Sequence, residues 1–139
     1  MKRISLVLLV LVLLMNLSII PAFAAERDDV QPLYNNIATI VVGLEINKNT
    51  GIAISDGAVD AYYQVPVEVL VQLQMYKNGQ WKTVMSWSNS GIGTAYAGGQ
   101  YVVEPGYNYR TRVTGSICND FGIPVESEVG TKDVYYPAS

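Results

Sequence analysis

The run Val67-Glu68-Val69-Leu70-Val71-Gln72-Leu73-Gln74-Met75-Tyr76-Lys77-Asn78-Gly79-Gln80-Trp81-Lys82-Thr83-Val84-Met85-Ser86-Trp87 decides the fold. In its first half Val67, Val69, Val71, Leu73 and Met75 alternate with Glu68, Leu70, Gln72, Gln74 and Tyr76. That is the period of a strand with one face buried. In its second half Trp81, Thr83, Met85 and Trp87 alternate with Lys82, Val84, Ser86 and Ser88. Asn-Gly between two alternating runs signals a hairpin. Parity then separates two registers. A two-residue loop, Asn78-Gly79, pairs Met75 with Lys82 and turns Trp81, Met85 and Trp87 away from the Val/Leu/Met row. A three-residue loop, Lys77-Asn78-Gly79, pairs Met75 with Trp81, Val71 with Met85 and Val69 with Trp87, which gathers both apolar rows on one face. A one-residue slip flips every side chain, so burial predicts the three-residue loop, with Gly79 left-handed in a bulge.

The same alternation extends in both directions. Upstream, Ala38, Ile40, Val42, Leu44 and Ile46 form one apolar row before the turn cluster Asn47 to Gly51. Ile52 and Ile54 begin a second strand, expected to stop at Asp56-Gly57 and to resume from Ala61 to Val65. Downstream, Gly91-Ile92-Gly93 and Gly98-Gly99 read as loops, and Gln100 to Val103 as a strand ending at Pro105-Gly106. Tyr107, Tyr109, Thr111 and Val113 alternate with Asn108, Arg110 and Arg112. Asn119 to Gly122 is a turn, and Val125 to Val134 supplies a last strand. No helical period follows residue 25. About seven short strands between Gly, Asn and Pro turns predict an all-β sandwich of immunoglobulin type. Its interior is expected where the aliphatics of the hairpin close against the strand that follows Pro105.

The segment Val103-Glu104-Pro105-Gly106-Tyr107-Asn108-Tyr109-Arg110-Thr111-Arg112-Val113 resembles the passage from the fifth to the sixth strand of fibronectin type III domains. There a Leu-x-Pro-Gly turn precedes Thr-x-Tyr and an alternating apolar strand. Leu73-Gln74, Asn78-Gly79 and Trp81 resemble that domain's third strand and the strand after it. The whole mature chain, over roughly residues 35–134, also resembles small secreted proteins of Gram-positive bacteria with no assigned activity. The resemblance implies architecture and brings no functional residue with it. It makes Tyr109 a tyrosine corner, with its ring in the core and its hydroxyl bonded to backbone near Glu104 or Pro105. One feature departs from the pattern: no Trp stands between Ala38 and Tyr63, where the domain's second strand carries its buried Trp.

The first residues read as an address. Lys2 and Arg3 precede an apolar run from Leu6 to Met15, and Pro21 and Ala22-Phe23-Ala24 complete a secretory signal with cleavage expected after Ala24. The expected organisation is a signal peptide at 1–24, a polar leader at 25–34 and the sandwich at 35–139. Localisation is therefore expected to be secreted and extracellular, with no membrane attachment after cleavage. Loss of Lys2 and Arg3 leaves seven basic residues against twelve acidic, a net charge of −5. That balance argues against nucleic acid, whose phosphates call for a basic stripe, and against anionic lipid. The chain has no His, which excludes a Ser-His-Asp triad, His-ligated zinc and an imidazole base. A single Cys, Cys118, forms no intrachain disulfide and no four-thiolate metal site; it is expected to be buried.

Candidate chemistry is sparse. The local carboxylate clusters are Asp28-Asp29, Asp56 with Asp60, and Glu126 with Glu128. A glycosidase needs two carboxyls across a cleft. Glu126 and Glu128 lie two apart on a strand and are expected on its solvated face. Asp56 and Asp60 lack the further oxygen ligands of a calcium loop. No catalytic residue, metal site or cofactor is expected. The unusual feature is tyrosine: ten residues, all beyond the signal. Tyr62 and Tyr63 adjoin, so one faces outward on a strand, while Tyr96 and Tyr101 sit near strand ends or loops. Exposed aromatics stack on sugar rings or anchor protein interfaces, so these four are the candidate ligand contacts; Tyr109, Gly79 and Trp81 are read as structural. The expectation is a non-enzymatic binding or structural module for a cell-wall glycan or a surface protein. The alternatives are a self-assembling or toxin-like protein that pairs through an edge strand, and a hydrolase using carboxylates alone.

Overall fold

The chain divides between Leu33 and Tyr34. The structure, a computed structural model, describes residues 36–138. The expected signal peptide and leader lie outside the described residues. The described part is all-β, with seven strands: β1 (Ile37–Asn47), β2 (Ile52–Ala61), β3 (Pro66–Lys77), β4 (Gln80–Ile92), β5 (Thr94–Val102), β6 (Tyr107–Cys118) and β7 (Pro124–Tyr136). They form two antiparallel sheets, β1-β2-β5 and β4-β3-β6-β7, packed as a single β-sandwich.

The predicted alternation sets which side chains fill the interior. Val67, Val69, Val71 and Leu73 of β3 are fully buried, as are Tyr109 and Val113 of β6. These two strands lie side by side in one sheet, with Val71 opposite Val113. The expectation that they face each other across the core is therefore corrected. Both have the same polar-outside, apolar-inside parity, so they share one inner face and close together on β1-β2-β5. From that smaller sheet come Leu44, Ala53 and Val59. The interior forms two apolar clusters, one around Val59, Val69 and Val113, the other around Leu44, Leu73 and Tyr109. Level with their junction, the fully buried Ser55 and Thr111 hydroxyls hydrogen-bond across the two sheets at 2.7 Å. Each hydroxyl gives the other the partner that burial would otherwise deny it.

The hairpin follows neither of the simple registers. Its loop has two residues, with Lys77 opposite Gln80 and Met75 opposite Lys82. Asn78 and Gly79 both have positive φ, 56° and 77°, the geometry of a type I′ turn, whose twist matches the flanking strands. This corrects the three-residue loop. The extra residue is instead taken up further along β4: Gln74 faces Thr83 but Leu73 faces Met85, leaving Val84 as a bulge. Beyond it the parity is reversed, and Trp87 comes to lie opposite Val71 and packs on the core. Trp81, before the bulge, stays on the outer face opposite Tyr76. Trp87 thus reaches the inner face, as expected, but opposite Val71 and not Val69, and through a bulge in the strand and not through the turn.

Glycines read as loops also prove to lie inside strands. Gly98 and Gly99 belong to β5, and Gly57 does not interrupt β2. A Cβ on Gly99 would collide with the Trp87 indole, and one on Gly57 with Val113. These positions are side-chain-free because a neighbour occupies the space. Gly93, with φ of 75°, is the one residue between β4 and β5, where the chain passes from one sheet to the other. The same crossing is made by Tyr62 to Val65, between β2 and β3. The two crossings are laced together by Gly93 N–H to Val65 C=O at 2.8 Å and Ala61 N–H to Gly93 C=O at 2.7 Å.

Candidate binding surfaces

One end of the sandwich gathers the start of β1, the β2–β3 and β4–β5 crossings and the β6–β7 loop. Its backbone is well tied down. Asn119 accepts two backbone hydrogen bonds on its side-chain oxygen, from Phe121 and Ile123, each at 3.0 Å. Its own N–H donates to the Ile123 carbonyl at 2.9 Å. This closed turn holds Phe121 out at its tip, 87% exposed, with Ile123 beside it at 58%. Ile92, at the end of β4, and Tyr62 and Tyr63, on the adjoining crossing, are also more than half exposed. A depression of about 530 Å3 lies beside Ile92, bordered by Pro66, Glu68, Ser90, Asn119 and Asp120. Five large apolar side chains, on two ordered connections and the end of β4, are thus presented at one end. Scattered exposed apolar residues are ordinary, but a group of them on neighbouring loops makes this end a candidate interaction surface.

At the same end Glu126 is half-buried and hydrogen-bonded on the inner side of its strand, which corrects its expected place on the solvated face. It faces inward from β7 and accepts hydrogen bonds from Asn36 N–H, Asn36 Nδ2 and Ile37 N–H at 3.0 to 3.1 Å. Burial works to raise its pKa, but the three donors outweigh it and hold the carboxyl below the ordinary value. Glu128, two residues on, is exposed.

The outer face of the larger sheet is polar and cross-braced. Arg110 donates from Nε to Gln74 at 2.7 Å, and its guanidinium lies 4.3 Å from the Trp81 ring centre. Tyr76 packs on the same indole with ring centres 5.1 Å apart. Arg112 donates to Gln72 and Thr114. The two arginines each reach across to the neighbouring strand β3. Trp81 serves as the platform that Arg110 covers.

The four tyrosines expected as ligand contacts do not form one site. Tyr62 and Tyr63 belong to the apolar end. Tyr96 lies mid-strand on the outer face of the smaller sheet, opposite Ala58. Tyr101, opposite the buried Ala53, points to the inner side at the β4–β5 edge, where it lines a small recess with Met75 and Val84. The β6–β7 loop, Ile92 and Ile123 were missed in the sequence because the loop reads as a turn. The available signal was Phe121 itself: a large apolar side chain at the tip of an Asn-Asp-x-Gly turn has no interior to enter.

Tyr109 is buried, and its hydroxyl donates to the Glu104 carbonyl at 2.8 Å and accepts from the Glu104 N–H at 3.1 Å. Burial pushes its phenol pKa up, more than the backbone hydrogen bond lowers it, and the charge of Glu104 adds to the rise. Cys118 is a buried free thiol, its pKa raised by burial and then by Glu68. Asp56 and Asp60 lie on strand β2, not in a loop, and among the described residues no three acidic or Cys side chains group as a metal site. No known protein family matches this chain, and no curated protein is similar enough to count as a relative.

Proposed function

We propose that this chain is a secreted, non-enzymatic β-sandwich module that binds a protein partner at the cell surface or in the extracellular space through its apolar loop end. The observation that carries the proposal is the group Tyr62, Tyr63, Ile92, Phe121 and Ile123, held out by hydrogen-bonded connections. Aromatic and aliphatic side chains fixed in advance contribute contact area with little ordering cost on binding. The signal-like sequence at 1–24 supports export. The fibronectin type III likeness is supported by the Pro105-Gly106 turn and the Tyr109 hydroxyl bonds to Glu104. The placement of β4 beside β3 supports it too, because the immunoglobulin constant arrangement puts the fourth strand on the other sheet.

The test is capture of surface proteins on the immobilised exported chain, compared with a Phe121→Ser/Ile123→Ser double variant. The expected result is a partner retained by the wild type and lost by the variant, with the thermal midpoint unchanged. Equal capture by both would remove the loop end as the binding surface. For the self-assembling alternative, the edges are informative. β7 turns Glu128 and Lys132 toward its inner side, opposite Gly115 and Thr111, and β4 carries the Val84 bulge. Inward-pointing charges and bulges both discourage edge-to-edge pairing.

A further inference from the structure

The outer face of β1-β2-β5 carries a row with an unusual composition. Asp56, on the central strand, is paired with Gly43 on one side and Gly98 on the other. Neither glycine is empty by accident. A Cβ on Gly43 would overlap the Asp56 carboxylate, and one on Gly98 would stand 2.6 Å from the Asp56 Cβ. The carboxylate therefore lies over β1 in space that any other residue would fill. On the β5 side, Tyr96 reaches diagonally along the face, and its hydroxyl donates to Asp56 Oδ2 at 3.4 Å. Its ring nevertheless remains 58% exposed. On the other side of the Ala58–Tyr96 row, Thr94 donates to Asp60 Oδ1 at 2.6 Å. Asp56 and Asp60 are four residues apart on one strand, so about 13 Å separates them along the face, with the Tyr96 ring between.

We propose that this face is a second binding site, for a neutral glycan. A pyranose ring stacks its C–H face on an exposed aromatic ring, and its hydroxyls donate to flanking carboxylates. A carboxylate is an acceptor only, so the ligand must be rich in donors. Two carboxylates at a site on a chain of net charge −5 after signal loss disfavour acidic sugars and phosphates. The two glycines leave room for the Asp56 side chain, which sets its carboxylate on this face within reach of the Tyr96 hydroxyl. The proposal concerns a different face from the apolar loop end and does not depend on it.

The experiment is an NMR titration of the exported protein with cellotetraose, with the N-acetylglucosamine tetramer, and with oligogalacturonate as an acidic control. The expected result is that one of the neutral tetramers shifts the amides of Gly43, Ala58 and Gly98, while oligogalacturonate does not. Tyr96→Ala and Asp56→Asn should each weaken binding about tenfold. Tyr96→Trp, which restores the platform, should keep it, so a loss in Tyr96→Ala is not a folding defect. Phe121→Ser/Ile123→Ser should leave sugar binding unchanged, which separates this site from the loop end. The proposal is overturned if neither neutral tetramer moves these amides, if oligogalacturonate moves them equally, or if Tyr96→Ala binds as well as the wild type.

Discussion

Tyr109 serves two backbone groups at once, the N–H and the C=O of Glu104. Tyr109→Phe keeps the ring in the core and removes both partners. Leaving buried polar groups unpaired costs about 1–3 kcal/mol, so the urea midpoint of the Phe variant should fall; an unchanged midpoint would contradict the role. Glu126 offers a pH test with a definite sign. Its folded pKa is depressed relative to the unfolded chain, so its contribution to stability is present above the ordinary glutamate value of about 4.3. That contribution is lost as pH falls through the folded pKa. Thermal midpoints should therefore drop on acidification below about pH 4.3, and Glu126→Gln should flatten the part of that drop that belongs to this carboxyl. If wild type and variant follow parallel curves, the carboxylate is not stabilising the start of β1.

At the level of elements, the β3–β4 hairpin and the bonds between the sheets make separate predictions. Deleting Val84 removes the unpaired residue and makes the Gln74–Thr83 and Leu73–Met85 pairs consecutive, so Trp87 should stay opposite Val71 on the inner face. In a Trp81→Phe background the emission of Trp87 should then keep its position; a shift to the red would show that Val84 is not the residue the ladder leaves out. The Ser55–Thr111 hydrogen bond links β2 of one sheet to β6 of the other. Ser55→Ala strands the Thr111 hydroxyl in a dry interior, at a cost of about 1–3 kcal/mol. The double variant Ser55→Ala/Thr111→Val removes both polar groups and should recover much of the loss. A double-mutant cycle on denaturation midpoints reads this directly; additive single and double losses would exclude the coupling. Gly57→Ala should destabilise by about 1–3 kcal/mol, because its methyl would enter the space of Val113.

For the molecule as a whole, the inward charges of β7 and the bulge in β4 predict that light scattering of the protein gives one mass across a wide concentration range, while growth with concentration would favour self-assembly. Much of the architecture was readable beforehand. Alternation in β1, β3 and β6 marked the inner faces, and Asn78-Gly79 marked the hairpin, because strand period and turn chemistry are local properties. Gly98 and Gly99 were read as loop residues because their reason for being glycine, Asp56 and the Trp87 indole, lies on other strands. The candidate sites were legible only in part. Tyr62 and Tyr63 stood out as adjoining aromatics, but nothing in the linear order places them at the same end as Phe121 or separates them from Tyr96. What the sequence alone determined is the all-β character, the apolar row of each strand and the chemistry the chain lacks, since these follow from residue type and spacing of two. Only the tertiary structure decided that β3 and β6 are neighbours in one sheet, that a bulge at Val84 turns Trp87 inward, and that Gly43, Asp56, Gly98 and Tyr96 meet on one face, since each depends on pairing between segments distant in the chain.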